Sequence, residues 1–225
     1  MSRFEPQWEA LPAAQQKFWP SLSGSVELGL VLYGGTAVAL RLGHRASIDF
    51  DFFTEKPLDR AALANAFTFV DCSEVIQDRP DTLTVLAPVG QDRVKVSFFG
   101  SVAIGRVGVP DLTPDRTVEV ASLLDLLATK LKVMQQRIEA KDYRDVAALL
   151  RAGLHLETGL AAAKALYHPS FEPSEAARAL TYFLGGDLAT LAEGDKELLT
   201  RAVAQMRRIP VVGLASGSLS ARSKG

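Results

Sequence analysis

The stretch Leu32-Tyr33-Gly34-Gly35-Thr36, followed by Arg45-Ala46-Ser47-Ile48-Asp49-Phe50-Asp51-Phe52-Phe53, decides how this chain is read. An apolar run stops at a glycine pair. A strand-like segment then carries two aspartates one residue apart. Side chains alternate along a strand, so Asp49 and Asp51 share one face and Phe50 and Phe52 the other. Two carboxylates on one face repel each other and resist burial. A divalent cation resolves that conflict, and hard oxygen ligands suit Mg2+ or Mn2+, usually shared with substrate phosphates. Taken alone, the pair also fits an exposed edge strand whose carboxylates face water.

The segments around this stretch set its context. Leu28 to Tyr33 reads as a buried strand, and Thr36 to Leu42 as a short helix starting at the glycines. A helix N-terminus offers unpaired N–H groups and partial positive charge, and a glycine pair lets a phosphate approach them. A glycine pair alone also fits a plain tight turn. Residues 6–20 read as a short helical entry whose Trp8 and Trp19 pack on the core, and residues 58–67 as an amphipathic helix. Strands are expected at 82–86, 93–99 and 117–120. Leu124, Leu127, Leu131, Met134 and Ile138 keep helical spacing through 121–138. Helices are also expected at 141–150, 157–167, 173–184 and 195–208. The expected organisation is an α/β lobe over 1–120, a helical lobe over 121–215 and a flexible tail over 216–225.

Composition narrows the class. Hydrophobic residues make up 48% of the 225, enough for a real core and too many for a disordered chain. No apolar run approaches the length that spans a bilayer, and the N-terminus lacks the apolar segment of a signal peptide. The single cysteine, Cys72, excludes an intrachain disulfide and a cysteine-based zinc site. The three histidines, His44, His155 and His168, show no metal-ligand spacing and read as surface or capping residues. A cytoplasmic location and no membrane partner are therefore expected. Net charge is −1, but residues 1–120 carry 11 basic and 15 acidic residues, and residues 121–225 carry 14 and 11. The basic excess of the second half, including Arg201, Arg207 and Arg208, permits a polyanionic partner without requiring one.

Strand, Gly-Gly, helix and then Asp-x-Asp on the next strand resembles the polymerase-beta-like nucleotidyltransferases. More closely, Tyr33-Gly34-Gly35-Thr36-Ala37 with Leu40, Gly43-His44-Arg45, Ser47 and Asp49-Phe50-Asp51-Phe52-Phe53 resembles the AbiEii/AbiGii-type nucleotidyltransferase toxins. Ala128-Thr129-Lys130-Leu131, Arg137 and Lys141-Asp142-Tyr143-Arg144-Asp145-Val146 look like that family's helical Lys motif and its Lys/Arg-Asp motif. The match covers 32–53 and 124–150 well and fades beyond 150.

The resemblance implies an α/β (α+β) fold with a mixed sheet, followed by an all-helical C-terminal lobe. It implies a Mg2+-dependent transfer of a nucleoside monophosphate from a nucleoside triphosphate. Asp49 and Asp51 would hold the metal, and Lys130 and Asp142 would complete the catalytic set. Gly34, Gly35, Thr36, Arg45, Ser47 and Lys130 would meet the triphosphate. For Arg45, a contact to phosphate, a brace on the aspartate strand and an ion pair to either aspartate all fit. Lys130 and Arg137 fall on one helix face by spacing, flanking the leucine stripe; for Arg137 a solvated flank fits better than a phosphate contact. In that family the acceptor is RNA, notably tRNA, and an antitoxin opposes the activity. One departure stands out. Many polymerase-beta-like enzymes carry a third carboxylate on a later strand, where this chain offers Ser97. A small-molecule or protein acceptor, or a catalytically silent nucleotide-binding protein, are the rival readings. A glycosyltransferase using Asp-x-Asp is disfavoured by the Gly-Gly turn and the Lys/Asp helices.

Overall fold

The computed structural model describes residues 4–222. Seven strands form one mixed sheet in the order β3-β4-β5-β2-β1-β7-β6. They are β1 (Val31–Tyr33), β2 (Asp49–Phe53), β3 (Glu74–Arg79), β4 (Thr82–Val89), β5 (Asp92–Phe99), β6 (Asp111–Leu112) and β7 (Glu119–Val120). The aspartate strand β2 is internal, antiparallel to β1 and parallel to β5, which removes the edge-strand reading. Its residues alternate between half-buried Asp49, Asp51 and Phe53 and fully buried Phe50 and Phe52. Phe50 and Phe52 meet Phe18, Trp19 and Phe98 on the sheet's apolar side. Each such side chain contributes roughly 1.5–3 kcal/mol on burial, so this aromatic layer fixes the register of β2 and hence where both carboxylates point.

Four helices belong to the first half: α1 (Ala13–Phe18), α2 (Gly34–Leu42), α3 (Arg60–Ala66) and α4 (Phe69–Cys72). Five follow: α5 (Leu123–Val133), α6 (Ala140–Arg151), α7 (Leu156–Tyr167), α8 (Pro173–Leu180) and α9 (Glu193–Gln205). The strand-to-helix joint thus falls between Val120 and Leu123, where Ser122 caps α5 by accepting from the Asp125 N–H at 3.1 Å. The two halves share one continuous apolar core, and α2 of the first packs on α5 and α6 of the second.

Several elements differ from the sequence expectation. The first strand begins only at Val31, because Gly29 at φ +68° turns the chain just before it. Helix α2 starts at Gly34 itself, so both glycines lie in its first turn. The entry segment is split: a 3-10 turn at Trp8–Ala10, α1, then a 3-10 stretch at Trp19–Ser25. Trp19 is buried there, with Trp8 edge-on against it at 5.0 Å. The helix expected through residue 138 stops at Val133, and α6 begins afresh at Ala140. Strand β3 went unforeseen because it is an exposed edge with no buried alternation. The tail is not loose over its described part. Ser216 bridges to Arg106, Leu219 is fully buried, and Ser220 bonds the Glu119 carboxylate. Residues 223–225 of that expectation lie outside the described residues.

Candidate active site

A cleft of about 760 Å3 opens between the sheet and the helical half. Its sheet wall carries Asp49 and Asp51 from β2 and Lys95 and Ser97 from β5. Its floor is the turn Gly34-Gly35, and its helical wall presents Lys130 of α5, Arg137 and Lys141. The cleft therefore forms where residues far apart in the chain, from Gly34 to Lys141, converge.

The register explains the carboxylates. Asp49 lies opposite Lys95, and Asp51 opposite Ser97, across the parallel β2/β5 pair. Lys95 Nζ stands 3.5 Å from Asp49 Oδ2, and the Ser97 hydroxyl donates to Asp51. Burial and then the neighbouring Asp49 charge push the Asp51 carboxyl above the usual carboxylate range. Lys95, the Ser97 hydrogen bond and Lys130 pull in the opposite direction and do not cancel it. This same-face pair fits a divalent cation, since both carboxylates face one cleft and a single ion pair, from Lys95 to Asp49, offsets their charge. Among the described residues no third His, Cys, Asp or Glu joins them. Asp49 and Asp51 are thus the two groups that would hold such an ion.

The glycine pair is dictated by the same carboxylate and by Arg45. Gly34 adopts φ +70°, and a Cβ there would lie 2.5 Å from Asp51 Oδ2. A Cβ on Gly35 would collide with the Arg45 guanidinium. The first turn of α2 has no side-chain cap, so its N–H groups are left for a ligand in the cleft.

Thr36 is placed otherwise than expected. Its side chain is buried, does not line the cleft, and its hydroxyl donates to the Asp49 carbonyl. That carbonyl can only accept, so the Ser47 hydroxyl, 2.8 Å away, donates to Thr36. Thr36 thus braces the backbone of Asp49, whereas Ser47, also buried, does reach the cleft lining.

The helical wall rests on a buried charge network. Lys130 Nζ sits 2.7 Å from Asp142 Oδ1 and 2.6 Å from Asp145 Oδ2. Arg137 Nε meets Asp142 Oδ2 at 2.9 Å. Arg45 clamps Asp145 with Nε at 2.6 Å and Nη2 at 2.8 Å, and His44 Nε2 approaches the same carboxylate at 2.8 Å. Neighbouring cations outweigh burial and hold both carboxyls below the usual range, Asp145 most strongly, where the His44 hydrogen bond and Lys130 contribute most. Arg45 therefore bridges β2's approach to α6 and pairs with neither strand aspartate. Asp142 is wholly buried, engaged by Lys130 and Arg137, and absent from the cleft lining. Its observed task is to position those two cations. Lys130 does reach the cleft, but its ammonium is shared between two carboxylates.

Reading the sequence missed Asp145 and His44 as participants. The signal for Asp145 was present: Asp142 and Asp145 at i and i+3 share a helix face. His44 gave none, since its partner lies 101 positions away. Arg137 reaches Asp142 from the turn after α5, so the shared helix face proposed for it and Lys130 is not what joins them.

Comparison with known proteins follows this geometry. The family model described as nucleotidyl transferase AbiEii toxin, type IV TA system, matches residues 24–184. That range takes in both cleft walls. An uncharacterised protein of Aquifex aeolicus is 33% identical over 137 residues, covering 58% of this chain and 64% of the relative. The chain thus spans less than two thirds of the length of that curated relative. Among solved structures, MenT4, a nucleotidyltransferase toxin of Mycobacterium tuberculosis, aligns over 87% of this chain and 91% of its own, with 16% identity and a TM-score of 0.49. With the family model covering most of its length, including the glycine turn, the aspartate strand and the Lys130–Asp145 helices, the chain belongs to the AbiEii nucleotidyl transferase toxin family.

Proposed function

We propose that this protein transfers a nucleoside monophosphate from a nucleoside triphosphate to a hydroxyl of RNA, with tRNA the leading acceptor. It does so as the toxin of a type IV toxin–antitoxin pair. The carrying observation is the cleft itself: two carboxylates on one wall, with only Lys95 paired to them, face a cation-bearing wall across an uncapped helix N-terminus. Asp49 and Asp51 would hold Mg2+ or Mn2+, which when bound supplies charge neutralisation to the phosphates. The N–H groups of Gly34 and Gly35 cradle the triphosphate, and Lys130 and Arg137 attract its terminal phosphates. Asp142, Asp145 and His44 keep those cations in place. Ser47 lines the phosphate side, and Arg45 closes the network behind it.

The acceptor hydroxyl attacks the α-phosphorus, the bond to the bridging oxygen breaks, and pyrophosphate departs. With Ser97 beside Asp51, no third carboxylate receives the hydroxyl proton, which passes to cleft water. Catalysis on this reading rests on positioning and electrostatics. Nucleoside triphosphates and RNA share the cytoplasm, where this reading places the protein, with a cognate antitoxin as partner. Ser97 also supports a second reading, a silent nucleotide-binding protein.

The test is label transfer. Purified protein, Mg2+, each α-labelled nucleoside triphosphate in turn and total tRNA are incubated beside the Asp49→Ala variant. Label on RNA, absent with the variant, is the expected result and names the base. Triphosphate binding without label on RNA, protein or small molecules would leave the silent reading standing instead.

A further inference from the structure

A second groove adjoins the cleft. It encloses about 590 Å3 between the turn after α5 and helix α8. Its lining includes Gln136, Arg137, Ile138, Arg178 and Tyr182 over a floor of buried Met134 and Tyr143. Arg137 lines both spaces, so the groove adjoins the candidate cleft at that side chain. Its chemistry is distinct from the cleft's. Tyr182 is 52% exposed and Ile138 42%, offering an aromatic face and an aliphatic one to whatever enters. Among the described residues, the Arg178 guanidinium has no carboxylate within ion-pair distance, although Glu175 lies one turn away on α8. Arg137, by contrast, is held by Asp142 and Glu139 and presents a fixed positive group at the junction.

We propose that this groove docks a single-stranded segment of the RNA acceptor and feeds its hydroxyl toward Asp49 and Asp51. The proposal rests on the nucleotidyltransferase reading above and adds the route the acceptor takes. An exposed aromatic ring beside arginines is what sequence-tolerant single-strand binding uses: bases stack on the ring and phosphates meet the guanidinium groups. Adjacency at Arg137 supplies the direction, because a strand lying on Tyr182 and Arg178 has its next phosphate at Arg137 and its end in the cleft. The groove's volume suits one or two nucleotides rather than a folded protein surface. Tyr182 lies beyond the last residue of α8, and Arg178 is exposed, so neither substitution removes core contacts.

The experiment measures binding and turnover separately. Anisotropy of a labelled single-stranded RNA is recorded for wild type, Tyr182→Ala, Arg178→Ala and Asp49→Ala, beside binding of a nucleoside triphosphate analogue. The expected result is binding about tenfold weaker for Tyr182→Ala and several-fold weaker for Arg178→Ala, with a salt slope reduced by about one for the latter. Analogue binding should stay unchanged, and Asp49→Ala should bind RNA as wild type does. In label transfer the two groove variants should raise KM for RNA and leave kcat near wild type. Equal RNA affinity for wild type and both groove variants would overturn the proposal. So would absence of RNA binding by wild type, and in that case transfer to another acceptor would keep the nucleotidyltransferase reading standing.

Discussion

Two aspartate pairs face each other in this molecule and have opposite fates. Asp49 and Asp51 sit at i and i+2 on a strand, half-buried, with one ammonium at 3.5 Å as their only ion-pair partner among the described residues. Asp142 and Asp145 sit at i and i+3 on a helix, fully buried, and are gripped by Lys130, Arg137, Arg45 and His44. Burial acts on both pairs. Charge partners decide the outcome: the strand carboxyl Asp51 is raised and the helix carboxyls are lowered. A carboxylate held above its ordinary range lacks enough positive charge around it, and on the proposed reading a metal ion would supply it. A carboxylate held below that range already has enough. The comparison separates a ligand site from the scaffold that faces it.

The largest expected effect tests the open pair. Asp49→Ala or Asp51→Ala should abolish label transfer while circular dichroism stays native, since neither carboxylate is needed to satisfy a buried cation. Transfer at wild-type rate in either variant would dissolve the assignment. Next comes the closed pair. Asp145→Ala strands buried Lys130 and half-buried Arg45 and His44, and should cost about 3–5 kcal/mol in chemical denaturation. A loss below 1 kcal/mol would mean the network is water-compensated rather than structural. Gly34→Ala should cost about 1–2 kcal/mol from its left-handed backbone and also displace Asp51, lowering activity further than stability alone explains.

A smaller effect separates the pairs by pH and ion. For Asp142 and Asp145 the folded carboxyl is depressed. Their stabilisation is present above the unfolded value near 3.9 and is lost as pH falls through the folded one. For Asp51 the sign reverses, and stability is lost as pH rises from the unfolded value through the folded one. At neutral pH, Mg2+ at ten times its Kd should therefore stabilise wild type by about 1.4 kcal/mol, and the gain should vanish in Asp51→Ala. Thermal melts with and without Mg2+ measure it. The smallest effect belongs to Asp51→Asn without metal, which should melt about 2 °C above wild type.

Much of the open pair was legible in the sequence because its information is local. Period two places Asp49 and Asp51 together, and the glycines punctuate the strand before them. The closed pair was only half legible. Its helical spacing is local, but Arg45 and His44 meet Asp145 across about a hundred residues, and no periodicity encodes that pairing. The extent of α5 was misjudged because apolar spacing continues through Met134 and Ile138 after the helix has ended. Met134 is buried from the turn, and Ile138 is largely exposed. Thr36 looked like a phosphate ligand from its place after the glycines, and its burial became visible only once β2 lay against α2.

The network on the helical wall has a consequence for how a ligand arrives. Arg45, Lys130, Arg137 and Lys141 outnumber Asp142, Asp145 and Glu139 by one positive charge, while Asp49 and Asp51 outnumber Lys95 by one negative charge. The walls are close enough to sense each other, for Lys130 lowers the Asp51 carboxyl and Asp51 raises the Arg137 guanidinium. The space between them is a small capacitor with its field fixed by the fold. On the proposed reading, a triphosphate carrying its counter-ion is itself a dipole, and that field would turn it before any atom touches: anionic tail toward the helices, metal toward the sheet.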